Sequence, residues 1–227
     1  MKSAFKSACK SACIFDLDGV IVDTARYHYL AWKRLAQSLG VDFSEHDNEA
    51  LKGVSRIESL KLILKLGGVS LSADEFDAAL TRKNAWYLEH IHKIGPEEIL
   101  PGVIEFLQSV RARGMKIALG SASKNALLIL QQIGLRDHFD AIVDGNKVSL
   151  AKPDPEVFLC AARELGVPPE ACIVFEDAVS GVQAACAAQM AVVGIGHAQV
   201  LHQADFVLPN FLDVDITAVL TTLQSNH

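Results

Sequence analysis

The stretch Cys13-Ile14-Phe15-Asp16-Leu17-Asp18-Gly19-Val20 indicates the fold, because a short apolar run ends abruptly in two aspartates and a glycine. This pattern predicts a buried strand that delivers carboxylates to its own C-terminal end. In an open parallel sheet, ligands bind beyond the carboxyl ends of the strands. On a continuing strand, Asp16 and Asp18 would point to the same side, and Gly19 would let the backbone turn away. We therefore expect chemistry at this end of the strand.

Two carboxylates this close resist joint ionisation unless a cation neutralises them or one keeps a proton. Asp16, held against a hard cation, could act as a nucleophile towards phosphorus, while Asp18 moves a proton to or from the reacting oxygen. The alternative is that both aspartates are turn or helix-cap residues. The complete string Phe-Asp-Leu-Asp-Gly-Val favours the chemical role.

The string Phe15–Val20 resembles the first motif of the haloacid-dehalogenase superfamily of aspartate-nucleophile phosphotransferases. Further matches, over nearly the whole chain, resemble its β-phosphoglucomutase branch. The resemblance implies a Mg²⁺-dependent isomerase that interconverts β-D-glucose 1-phosphate and D-glucose 6-phosphate. It would act through an aspartyl phosphate and a β-glucose 1,6-bisphosphate intermediate, with glucose 1,6-bisphosphate as the activating primer.

Composition limits the other classes of function. The chain has 227 residues, half of them hydrophobic, which suits one large domain or one domain with an insertion. A formal net charge of −6 argues against a nucleic-acid partner, and no apolar stretch is long enough to span a bilayer. Five scattered cysteines without metal-ligand spacing favour reduced thiols in the cytoplasm. The basic Lys-Ser-Ala repeats at Lys2, Lys6 and Lys10 lack an apolar signal core, so we expect a frayed leader. We also expect a monomer acting on small sugar phosphates.

Apolar periodicity divides the chain into two parts. Residues 26–97 show helical spacing without strand-like alternation, which predicts an all-helical cap domain. Residues 98–227 alternate strands and helices, which predicts a parallel sheet covered on both faces. The expected fold is a doubly wound, Rossmann-like α/β core made from residues 1–25 and 98–227, with the cap inserted after the first strand. Such a cap can close over substrate and exclude water.

A second acidic pair, Glu176-Asp177, follows the predicted strand Cys172–Phe175 and would meet Asp16 at the same sheet edge. A pocket of oxygen ligands without histidine or cysteine suits Mg²⁺ better than zinc. The alternative for Asp177 is capping of the next helix. By resemblance, the metal ligands are Asp16, the backbone carbonyl of Asp18, Glu176 and Asp177.

Two further segments at strand ends fit an anion. Gly120–Asn125 offers hydroxyls, backbone N–H groups and a lysine where a strand meets a helix, although ordinary helix caps look similar. Lys152 precedes a proline, and a fixed ammonium there would balance charge on phosphoryl oxygens; a solvated lysine is the alternative. By resemblance, Ser121 and Lys152 serve the transferring phosphoryl group, and the distal phosphate or sugar is held by Ser123, Lys124 and Asn125.

The predicted cap carries its own candidates. Thr24 and His28 are four residues apart and could share a helix face. On residue type alone, His28 and Arg56 are more often packed or solvated than functional. The resemblance assigns Thr24 and His28 to control of Asp18, and it assigns binding roles to Trp32, Lys52, Gly53, Val54, Ser55, Arg56 and Lys83.

Two other functions stay open. A sugar-phosphate phosphatase of the same superfamily would share every step up to the aspartyl phosphate, and a non-catalytic sugar-phosphate binding protein is disfavoured by the intact Asp16 and Asp18. The segment Asp144–Lys147 departs from the branch pattern and precedes Lys152, so the position of Lys152 is the least secure expectation.

Overall fold

A computed structural model of the chain describes residues 9–51 and 54–225. The predictions for Lys52, Gly53 and most of the leader therefore lie outside the described residues. Within them, parallel strands form one sheet in the order β3-β2-β1-β4-β5-β6. The strands are β1 (Ala12–Phe15), β2 (Lys116–Gly120), β3 (Ala141–Val143), β4 (Cys172–Glu176), β5 (Ala191–Ile195) and β6 (Phe206–Leu208). The predicted doubly wound α/β fold is confirmed.

The first four helices after β1, here called the cap helices, are α1 (Ala25–Ser38), α2 (Glu45–Glu49), α3 (Arg56–Gly67) and α4 (Ala73–Ile91). Ser55 and Ser72 start α3 and α4 by accepting backbone N–H groups from the first turn. The cap helices enclose an apolar cluster of their own, including Trp32, Leu35 and Leu60. Helix α2 was not predicted, because five residues are too few to show periodicity.

The helices that cover the sheet are α5 (Val103–Ala112), α6 (Ala126–Gln132), α7 (Glu156–Leu165), α8 (Val179–Ala187) and α9 (Ile216–Ser225). Alternate residues of β1 enter opposite layers: Cys13 and Phe15 join one apolar cluster, whereas Ala12 and Ile14 join the other. Burial on both faces explains the unbroken apolar character of β1. None of the helices within the described ranges combines the length and the apolar character that a membrane span requires.

The chain turns directly after β1, which corrects one expectation. The Asp16 N–H still donates to the Phe175 carbonyl (3.0 Å), but the N–H groups of Ile21 and Val22 then fold back onto the Leu17 carbonyl. The strand therefore ends before Asp18, and the alternation of a continuing strand does not explain how Asp16 and Asp18 meet. The turn, with Gly19 at φ +80°, then carries the backbone away from the sheet edge.

The two connections between the cap helices and the sheet lie side by side. The Leu100 N–H donates to the Ile21 carbonyl (2.9 Å), and the Asp23 N–H donates to the Glu98 carbonyl (3.2 Å). The buried Glu98 carboxylate also accepts hydrogen bonds from the Arg26 guanidinium and from the Tyr27 hydroxyl. Both connections therefore meet next to the end of β1.

Candidate active site

Acidic side chains converge at the carboxyl edge of the sheet, where β1 and β4 end side by side. Lys152 enters this cluster from the loop before α7. Its ammonium Nζ lies 2.5 Å from Asp16 Oδ1 and 2.6 Å from Glu176 Oε1, and all three side chains are buried. Lys152 is therefore a paired lysine of the site, and the solvated alternative is excluded.

The electrostatics of the cluster follow from burial and crowding. Burial and then the charge of Asp16 raise the pKa of Asp18 to about 7. Burial and then the charges of Glu176 and Asp16 raise the pKa of Asp177 to about 8. Burial opposes the ammonium of Lys152, but Asp16 and Glu176 outweigh this effect and raise its pKa. One lysine thus leaves excess negative charge in the cluster.

The acids at the turn after β1 are oxygen donors of the kind that a hard divalent cation takes. A Cβ atom at Gly19 would overlap the Asp177 carboxylate, so glycine lets Asp177 reach across the turn towards Asp16 and Asp18. Within residues 9–51 and 54–225, no three His, Cys, Asp or Glu side chains stand grouped as metal ligands. The set implied by the resemblance has three carboxylates, Asp16, Glu176 and Asp177, with the Asp18 carbonyl, and in this structure Asp16 and Glu176 are paired with Lys152.

Glu176 differs from the other acids because both of its oxygens have partners. Oε1 accepts from Lys152, and Oε2 accepts from the Ala178 N–H (2.8 Å). Glu176 rather than Asp177 thereby satisfies a backbone N–H at the start of α8. Helix α8 has no side-chain cap at Ala178, so the capping alternative for Asp177 finds no support.

The Gly120–Asn125 segment lies at the carboxyl end of β2, beside β1. Buried Ser121 accepts the Ser123 N–H on its hydroxyl (3.1 Å), and the Ser123 hydroxyl accepts the Asn125 N–H (3.3 Å). These bonds form a tight turn, while Lys124 is exposed. The structure therefore brings Ser121 to the edge where Asp16 lies, and the other three residues follow it into the loop.

The divergent segment Asp144–Lys147 closes on itself. The Asp144 carboxylate accepts from the backbone N–H (2.9 Å) and side-chain amide (3.0 Å) of Asn146, and the Gly145 N–H donates to the Ser123 carbonyl (3.2 Å). The sequence change is absorbed within this turn, because Lys152 still reaches Asp16.

Thr24 and His28 lie at the start of α1, next to Asp18. The buried Thr24 hydroxyl donates to Asp18 Oδ1. The His28 N–H donates to the Thr24 carbonyl (3.1 Å), and its ring Nδ1 lies 2.8 Å from Lys83 Nζ. Burial, followed by the charges of Lys83 and Arg56, lowers the pKa of His28 well below its ordinary value, so we expect a neutral imidazole.

Lys83 is enclosed by aromatic rings. Its Nζ lies 4.6 Å from the centroid of Trp32 and 4.8 Å from that of Tyr87. Burial, then the charge of Arg56, lowers the pKa of Lys83 well below its ordinary value, while Asp18 raises it. Arg56 opens α3 and is the first helical residue after the Ser55 cap, and the Val54 N–H donates to the Leu51 carbonyl (3.2 Å). Lys83 and Arg56 thus lie close enough on the cap helices to influence one another, and Asp18 is the acid that favours the charged form of Lys83.

Sequence reasoning missed two residues of α4. Asn84 accepts the Asn125 side-chain amide (3.0 Å), which joins a cap helix to the loop after β2. Tyr87 is fully buried and stacks on His28 with ring centroids 4.1 Å apart. Tyr87 lies one helical turn after Lys83, so the spacing placed both on one face. No sequence signal indicated what that face meets.

Fold and site together define a phosphoryl-transfer protein built around an aspartate at the end of β1. The chain belongs to the haloacid dehalogenase-like hydrolase family, whose model matches residues 10–189. The family predicted from the motif is thereby confirmed.

Comparison with individual proteins indicates which branch of this family the chain resembles. The chain is 43% identical over 207 residues to a beta-phosphoglucomutase of Bacillus subtilis (strain 168), covering 90% of this chain and 92% of that protein. The crystal structure of a beta-phosphoglucomutase from Clostridium difficile superimposes with a TM-score of 0.92 at 41% identity, covering 95% of this chain and 98% of that one. A phosphorylated carbohydrates phosphatase of Thermotoga maritima is 34% identical over 176 residues, covering 77% of this chain and 79% of that protein.

Proposed function

We propose that this protein is a phosphomutase that interconverts β-D-glucose 1-phosphate and D-glucose 6-phosphate. The observation that carries the proposal is the arrangement around Asp16, which is paired with Lys152 while its neighbour Asp18 is held by Thr24 from the cap side. A nucleophile and an acid/base group in distinct environments suit two-step phosphoryl transfer. The 43% identity to a beta-phosphoglucomutase supports the same branch.

Glucose 1,6-bisphosphate would prime the site: an Asp16 oxygen attacks one phosphorus, the bond from that phosphorus to the sugar oxygen breaks, and Asp18 donates a proton to the leaving oxygen. The 6-hydroxyl of β-glucose 1-phosphate then attacks the aspartyl phosphate, Asp18 takes up the hydroxyl proton, and Asp16 is released together with a new 1,6-bisphosphate. The bisphosphate turns around within the site, and Asp16 takes its 1-phosphoryl group. This leaves glucose 6-phosphate and a phosphorylated Asp16 for the next cycle.

The residues proposed to hold Mg²⁺ are Asp16, the Asp18 carbonyl, Glu176 and Asp177. When bound, the ion supplies positive charge against the acids and the phosphoryl oxygens. Lys152 adds a fixed ammonium beside Asp16. The raised pKa values of Asp18 and Asp177 support this assignment, because burial and then the charges of neighbouring acids disfavour the ionised carboxylates, and a bound cation would offset both effects.

We further propose that residues 26–97 act as a cap over a core made of residues 1–25 and 98–227. On the cap helices, the phosphate or sugar that is not reacting would be held by Trp32, Lys83 and Arg56, together with Lys52, Gly53, Val54 and Ser55. Ser121 would hold the transferring phosphoryl group. The distal phosphate or sugar would be bound by Ser123, Lys124 and Asn125. A cytoplasmic location and a monomeric state stay predictions.

The second candidate is a sugar-phosphate phosphatase, which the identity to the Thermotoga maritima phosphatase favours. The two functions differ in whether a sugar hydroxyl or water attacks the aspartyl phosphate. The test is to supply β-glucose 1-phosphate and Mg²⁺ with and without the bisphosphate primer. A mutase forms glucose 6-phosphate and responds to the primer, whereas a phosphatase forms glucose and phosphate without such a response.

A further inference from the structure

Tyr87 carries a buried polar group that the mechanism above does not use. The side chain is fully buried, and its hydroxyl has no hydrogen-bond partner within the described residues. Stacking on His28 and the Lys83 ammonium near its ring fix the orientation of the phenol. A buried hydroxyl without a partner lowers stability, so its retention needs an explanation.

The groups around this hydroxyl identify what it faces. Tyr87 stacks on His28, whose backbone N–H donates to the Thr24 carbonyl, so the phenol lies beside the start of α1. Burial and then the charge of Asp18 raise the pKa of Tyr87, whereas hydrogen bonding with the Thr24 side chain and the charge of Arg56 lower it. The Tyr87 hydroxyl is thus near the Thr24 hydroxyl without a well-formed hydrogen bond to it, and the Thr24 hydroxyl donates its single hydrogen to Asp18. At rest, Thr24 has a partner and Tyr87 has none.

We propose that Tyr87 is a positioning residue for Asp18: its hydroxyl oxygen accepts the Thr24 hydrogen when Asp18 leaves Thr24 for the reacting oxygen of the sugar phosphate. The inference rests on the proposed phosphoryl-transfer function. Thr24 is fully buried, so without Tyr87 the departure of Asp18 would strand the Thr24 hydroxyl. With Tyr87, that hydroxyl exchanges one acceptor for another, and the engaged position of Asp18 is stabilised.

The test is Tyr87→Phe, which removes the acceptor and keeps the ring that packs on His28. Because only the engaged state loses a hydrogen bond, kcat falls by about 5- to 150-fold while KM changes little. The melting temperature stays at least as high as in the wild type, because the group removed has no partner at rest. The matched control is Tyr29→Phe on helix α1. It removes a hydroxyl that accepts a hydrogen bond from Lys33, a residue of the same helix, and leaves kcat unchanged.

A double-mutant cycle tests whether Tyr87 acts through Thr24. In a Thr24→Val background, Tyr87→Phe produces no further fall in kcat. An unchanged kcat in Tyr87→Phe, a melting temperature several degrees lower, or a full additional fall on top of Thr24→Val each overturns the proposal. If the wild type releases phosphate and makes no glucose 6-phosphate, the mutase assignment fails. The same variants are then compared on phosphate release, where Asp18 must engage as well.

Discussion

Lys152 and Asp16 are 136 positions apart in sequence, yet the lysine Nζ lies 2.5 Å from the aspartate Oδ1. The same ammonium also contacts Glu176, so one cation orients the acids of two neighbouring strands. Because the pair is buried, removal of either partner leaves an uncompensated charge. The contact therefore serves both the fold and the chemistry.

Lys152→Met should reduce turnover and also lower stability, because the methionine keeps the length of the side chain and removes its charge. The loss of stability should be larger at alkaline pH, where more of the acids are ionised. Thermal melts and steady-state assays of this variant and of the exposed control Lys61→Met measure both effects. Equal effects of the two substitutions would contradict the role of Lys152.

Asp16→Asn should abolish turnover and leave a folded protein, because an amide is too poor a nucleophile to attack phosphorus. We expect a loss on the order of a thousand-fold or more in kcat. Intact-mass analysis after brief exposure to the bisphosphate primer should show a phosphoryl adduct in the wild type and none in the variant. The exposed Asp42→Asn is the control, and near-normal turnover in Asp16→Asn would reject the aspartyl-phosphate mechanism.

The acidic cluster should make stability depend on pH and on Mg²⁺. The pKa values of Asp18 and Asp177, about 7 and about 8, lie above the ordinary value of 3.8. The folded state therefore binds these protons more tightly than the unfolded chain does. The stability that this binding contributes is fully present below about pH 4 and is lost as pH rises through 7 to 8.

The melting temperature of the metal-free protein should therefore fall between about pH 5 and pH 8.5. Mg²⁺ should raise it most at the upper end by mass action. In Asp177→Asn, both the fall and the gain from Mg²⁺ should shrink, whereas Asp42→Asn should behave like the wild type. A melting temperature that does not change when Mg²⁺ is added at alkaline pH would count against the proposed metal site.

Arg56→Ala tests the cap. Arg56 lowers the pKa values of both His28 and Lys83, which places its charge close to both residues. If it binds the phosphate that does not react, its loss should reduce kcat/KM by about 10- to 100-fold and should reduce kcat as well, since that binding energy helps to orient the substrate. Lys61→Ala on the same helix is the control. Wild-type kinetics in Arg56→Ala would indicate that Arg56 is a solvated side chain and does not bind the substrate phosphate.

The sequence predicted the parts of the site whose residues are adjacent in the chain. The apolar runs before Asp16 and before Glu176 each predict a strand. Parallel pairing of these strands then brings the acidic residues at their carboxyl ends to one edge of the sheet. The turn at Gly19 and the short helix α2 were not predicted in detail, because each depends on hydrogen bonds within a few residues. The environment of Tyr87 was missed because helical spacing gives a face of α4 and does not give the elements that pack on it.

We propose that a sugar hydroxyl, and not water, takes the phosphoryl group from Asp16. The most direct measurement is a ³¹P NMR time course of the wild-type protein with β-glucose 1-phosphate, Mg²⁺ and glucose 1,6-bisphosphate, in which glucose 6-phosphate and inorganic phosphate are counted separately. We expect glucose 6-phosphate to accumulate with little inorganic phosphate, and we expect His28→Ala to slow its formation because Asp18 is no longer engaged in step with cap closure. Inorganic phosphate as the main product of the wild type would rule out the mutase function and would assign the protein to the phosphatases of its family.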